Sequence, residues 1–112
     1  MEQEDKVLRE INGGVTDEQL TAWKRRYGKV MIVEIEEDDE LHKVYLHRPS
    51  LDTMAAVSKI GKTNDVESAK VMLANCWLGG SEAVKDDAVL FMEATKQLSK
   101  IFERCTSRLK NL

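Results

Sequence analysis

The side chains in this sequence best suited to nucleophilic, acid–base or metal chemistry are Cys76, Cys105, His42 and His47. A thiol or hydroxyl nucleophile needs a base within hydrogen-bond reach. Both cysteines fall in helical stretches and both histidines in strand-like ones, so a catalytic pair would need a tertiary contact such as Cys76 with His42, which spacing alone leaves open. The cysteines form no Cys-x-x-Cys pair and have no histidines at zinc-ligand spacing, so each reads as a small core residue. His42 and His47 lie an odd number of residues apart on one strand, project to opposite faces and cannot share an ion. The acidic run Glu36 to Glu40 offers oxygen ligands, but a calcium loop sets them at alternate positions around a glycine turn, and a solvated hairpin tip accounts for it better. Lys24-Arg25-Arg26 between Trp23 and Tyr27 imitates a phosphate-tracking patch with stacking rings, yet helical spacing turns both rings toward the buried face. Gly13-Gly14 and Gly79-Gly80 are isolated pairs that suit helix ends rather than a phosphate loop. The expectation is a protein that is not an enzyme, with no catalytic residue, no metal and no cofactor.

The elements that must position these residues are mostly helical, with one hairpin among them. Two strand-like runs, Lys29 to Glu36 and Leu41 to His47, flank the tip Glu37-Asp38-Asp39-Glu40. An even-numbered turn sets Glu34 opposite Lys43, Val33 opposite Val44 and Met31 opposite Leu46, a register that satisfies charge and apolar pairing together. Met31, Val33, Ile35, Val44 and Leu46 then make one face apolar. Ile32 and Tyr45 lie on the other, half-apolar face, which is expected to pack on the N-terminal helix or, if that helix lies elsewhere, on another protein chain.

Helix signals surround the hairpin. Val7, Leu8 and Ile11 give residues 1–14 a weak helical pattern, in an arm that is helical or frayed and ends at Gly13-Gly14. Thr16 with Gln19 makes a capping box for a helix over 17–27 that Gly28 ends. Pro49 closes the hairpin and Ser50 caps a helix over 51–60, with Leu51, Met54, Ala55 and Ile60 inward. Asn64 with Glu67 opens a helix over 65–78, which Gly79-Gly80 stops. A last long helix starts between Ser81 and Asp87 and runs to about Leu109. The fold class expected is therefore α+β: a two-stranded antiparallel hairpin packed with about four helices, in a single domain over 1–112, with the hairpin at 29–47 and the helical part at 51–109.

Composition bounds the function from outside. A chain of 112 residues has room for one core, and 17 basic against 20 acidic residues leave a net charge of −3, which disfavours nucleic acid. Met1 to Lys6 lacks the basic and apolar blocks of a secretory signal, and no apolar run approaches the ~20 residues of a membrane span. No membrane partner and a cytoplasmic location are expected.

One pattern points to a partner. Val84, Ala88, Phe91, Thr95, Leu98, Phe102, Cys105, Leu109 and Leu112 alternate steps of four and three, a seam that suits core packing or an intermolecular coiled coil. A helix from Asp87 to Leu109 would span about 35 Å at ~1.5 Å per residue, against about 25 Å for the hairpin strands, so its end should overhang. Leu98, Phe102 and Leu109, with Ile32 and Tyr45 on the half-apolar sheet face, are the candidate partner-binding residues.

Three stretches occur in order: Trp23-Lys24-Arg25-Arg26-Tyr27-Gly28-Lys29-Val30, then Val44-Tyr45-Leu46-His47-Arg48-Pro49, then Ala74-Asn75-Cys76-Trp77-Leu78-Gly79-Gly80. Over residues 17–109 the chain resembles the small tail assembly chaperones of siphophages and prophages of Gram-positive hosts. That resemblance implies binding of the tape measure protein, assistance to tail tube assembly with the major tail protein as a further partner, and action in the host bacterial cytoplasm. The alternative is a homodimeric adaptor or regulatory module without catalytic activity, to which the seam would supply the homo-oligomer contact.

Overall fold

Local capping chemistry sets the helix starts in a computed structural model that describes residues 7–112. The first six residues of the expected N-terminal arm lie outside the described residues. Thr16 N–H donates to Gln19 Oε1 at 2.9 Å and Gln19 N–H donates back to Thr16 Oγ1 at 3.2 Å, the reciprocal box that opens α1, Asp17–Tyr27. Gly28, at φ 75°, closes that helix by donating to Lys24 O. Ser50 and Asn64 accept from the third residue beyond them and open α2, Leu51–Gly61, and α3, Asp65–Cys76.

Between α1 and α2 lie β2, Val30–Glu37, and β3, Glu40–His47, joined through Asp38 and Asp39. Val33 faces Val44, Glu34 faces Lys43 and Met31 faces Leu46, as the side-chain pairing predicts. Val33, Ile35, Val44 and Leu46 enter the main core with Leu73, Cys76, Val84, Leu90, Phe91, Ala94 and Leu98. On the other sheet face α1 lays Trp23 against Tyr45, ring centroids 6.1 Å apart, and stacks Tyr27 on His47 at 4.5 Å. That face is therefore covered from within the chain along half its length.

The architecture is mixed α/β, with five helices and a four-stranded sheet rather than a lone hairpin. Along its far edge β3 pairs in parallel with β1, Arg9–Ile11, and antiparallel with β4, Trp77–Gly80. The arm thus supplies a strand where a weak helix was expected. Three residues are too few to show a strand period, and cross-strand ion pairs hold them: Arg9 donates to Glu40, and Lys43 Nζ lies 2.8 Å from Glu10 Oε1. Gly79 and Gly80 do not stop a helix; they let β4 approach. A Cβ on Gly80, at φ 143°, would lie 2.5 Å from Lys43 O, and one on Gly79 would lie 2.9 Å from the Trp23 ring. On α2, Leu51 and Ala55 point outward, and Thr53 is the buried residue.

The long C-terminal helix is also corrected. It is divided into α4, Ala83–Asp86, and α5, Ala88–Ser99, followed by a 3-10 turn over Lys100–Glu103 and irregular chain to Leu112. Asp87 breaks the run because its carboxylate accepts from Val89 and Leu90 N–H, making it an N-cap inside the seam. The far end leaves the α-helix as burial falls: Leu98 is the last buried position, Ile101 is only partly buried against the core, and a helical turn with little tertiary contact is marginal in water.

Candidate functional site

Polar chemistry collects at one buried place, on the core face of β3. The close approach of β4 brings Ser81 beside His42, with Oγ and Nδ1 2.7 Å apart, and His42 Nε2 lies 3.2 Å from Glu40 Oε1. Arg9 completes the row on the other carboxylate oxygen, and its hydrogen bond to Glu40 holds that carboxyl below the usual carboxylate range. Serine, imidazole and carboxylate in this order resemble a hydrolytic relay. The serine is 1% exposed, however, and His42 3%. The row ties β4 to β3 through the buried Ser81 and His42, and β1 to β3 through the more exposed Glu40 and Arg9.

This row was not legible in the sequence, where the histidines were weighed as bases for the cysteines and as a metal pair, not as partners of Ser81 or Glu40. Cys76 is fully buried on α3 with its thiol pushed up to about 11 by desolvation, so it stays a protonated packing group. Cys105 is exposed rather than in the core. No group of three or more His, Cys, Asp or Glu among the described residues has a metal-holding arrangement.

The five candidate partner residues separate. Tyr45 is buried beneath Trp23 and Leu98 lies in the core, so neither is free for a partner. Ile32, Phe102 and Leu109 remain open, at 48%, 54% and 98% exposed. They do not form one helix stripe, because the helix that would have aligned Phe102 with Leu109 ends at Ser99.

A surface groove joins two of these regions. Ile101 lines three adjoining depressions of about 360, 490 and 370 Å³. The first runs between β2, at Met31 to Glu34, and the end of α5; the second passes Val30 and Gly28; the third lies against Pro49, Leu51, Met54 and Phe102. Lys24, Lys29, Arg48, Lys100 and Arg104 line these depressions, against one acid, Glu34. The acidic hairpin tip lies at the far end of β2, so an overall acidic protein carries a locally basic, apolar-floored groove. The groove thus sets apolar side chains beside a cluster of cations.

The fold is a mixed α/β domain with a groove on its surface. Comparison with protein-family models, curated proteins and solved structures returned no match to this chain. Among the described residues no helix is long and apolar enough to cross a membrane.

Proposed function

We propose that this chain is a non-enzymatic tail assembly chaperone of a phage or prophage, acting in the host cytoplasm to hold a segment of the tape measure protein and assist tail tube assembly. The observation that carries the proposal is the groove around Ile101, floored by apolar side chains and lined by five cations. A client segment with spaced apolar anchors and neighbouring acids fits it, in the manner of an amphipathic helix laid in a groove. The order of the Trp23 to Val30, Val44 to Pro49 and Ala74 to Gly80 stretches supplies the choice of client.

The test is co-expression with the longest helical protein encoded beside this reading frame, followed by measured binding of the purified pair. Phe102→Asp changes an exposed side chain and should leave the fold intact while weakening capture at least tenfold, about 1.4 kcal/mol for one lost anchor. Undiminished binding by this variant, or no binding by the parent chain, would remove the proposal.

A homodimeric adaptor is the second reading, and exposed Ile32 and Phe102 beside the groove favour it, since a second copy can cover that apolar surface about a two-fold axis. A mass that doubles with concentration, without capture of the neighbouring gene product, would select it.

A further inference from the structure

Resting on the reading of the groove as the client site, we infer that the segment it holds has a fixed order along its length: an apolar anchor, a central run of carboxylates, and a second apolar anchor. The three depressions lie in series. Besides Ile101, the one of about 490 Å³ shares Met31 and Arg104 with that of about 360 Å³, and Arg48 and Cys105 with that of about 370 Å³. The outer two share Ile101 alone, so the depression of about 490 Å³ is the middle of the groove.

Charge and apolar surface divide along that line. Lys24, Lys29, Arg48 and Arg104 line the middle, and no acid does. One outer depression is walled by Ile32, Val33, Leu46 and Leu98, and its Glu34 already lies 3.8 Å from Lys43 Nζ. The other is walled by Pro49, Leu51, Met54 and Phe102, of which Leu51 and Phe102 stand exposed.

Among the described residues none of the four middle cations enters an ion pair, and all four are exposed. Like charges gathered around a concavity reinforce one another's potential, and apolar walls beside them focus it. Carboxylates laid there replace repulsion by attraction, whereas a lysine or arginine at the same place adds to the repulsion. The anchors supply burial and the acids supply choice, since exposed ion pairs contribute little singly but select partners and speed encounter. A nucleic acid would bring charge without the apolar anchors that the outer depressions accept, so the chemistry favours a polypeptide.

The test uses the full chain and synthetic peptides, read by fluorescence anisotropy. One peptide carries a run of glutamates between two leucine anchors. The others replace the glutamates by glutamines, the glutamates by lysines, or the leucines by serines. The first should bind at least about tenfold more tightly than each of the others at low salt, and its lead over the glutamine form should vanish as salt is raised. Lys24→Glu with Lys29→Glu and Arg48→Glu should transfer the preference to the lysine-centred peptide, a gain that a misfolded variant could not show. No binding of the glutamate peptide, equal binding of its glutamine or serine form, displacement by single-stranded oligothymidylate, or loss of binding as the chain self-associates would each overturn the inference. Capture of the neighbouring helical protein without any preference for acids would overturn it and spare the proposed function. The peptide preference without capture of that protein would do the reverse.

Discussion

The two long edges of the hairpin contrast sharply. Along β3 the edge is fully used: β1 and β4 pair with it end to end, and the Ser81–His42–Glu40–Arg9 row ties them down. Along β2 the strand pairs among the described residues are with β3, and Met31 to Glu34 line a groove. The comparison teaches that strand pairing takes up one edge of the hairpin while a groove runs beside the other strand. What separates them is whether a glycine-containing strand can come close enough to pair, as Gly80 does against Lys43 and Val44.

The sharpest way to break this contrast is to truncate one apolar side chain on each side. Leu46→Ala, at a fully buried β3 position, should cost about 2–5 kcal/mol in chemical denaturation, whereas Phe102→Ala beside the groove should stay within about 0.5 kcal/mol. Comparable losses at the two sites would show that the groove is core and not surface.

Alkaline titration sharpens the same difference from the interior. The Cys76 thiol is raised from its ordinary 9.0 to about 11 by burial, so between those values the folded protein keeps a proton that the unfolded chain has lost. Its contribution is fully present below pH 9 and falls as pH rises toward 11, by about 3 kcal/mol in the limit. Lys43, raised by its bond to Glu10, acts in the same direction at higher pH. Cys76→Ala should flatten the decline between pH 9 and 11 in thermal or urea unfolding, and an unchanged slope would assign it elsewhere.

A smaller effect probes the polar row. Ser81→Ala leaves His42 Nδ1 without its buried partner and should cost about 1–3 kcal/mol. It should also speed amide exchange on β4 more than on β2. Loss spread evenly over both strands would mean that the polar row does not distinguish the two edges.

The legible part of the fold was the part written in neighbouring residues. Thr16 with Gln19, Ser50 and Asn64 mark their helix starts because the bonds they make span three positions. The hairpin pairing follows from the alternation of charge and apolar side chains over both strands, so Val33–Val44 and Glu34–Lys43 stand as expected. By contrast, Arg9–Ile11 and Trp77–Gly80 have no strand signal of their own, and they become strands only because β3 offers an edge. Of the candidate partner residues, Ile32, Phe102 and Leu109 remain exposed, while Tyr45 and Leu98 are taken up by Trp23 and the core.

The amino-acid order alone determined the helix caps, the hairpin register and which sheet face is apolar, since each depends on contacts between residues close in sequence or on strict period-two alternation. Tertiary structure decided that Gly79-Gly80 enters the sheet, that Ser81 meets His42, and that the period-3.5 seam stops being a helix at Ser99. Those outcomes depend on where packing surface begins and ends in space: Leu98 lies within the core, Ile101 is only partly buried against it, and the seam residue Phe102 is exposed.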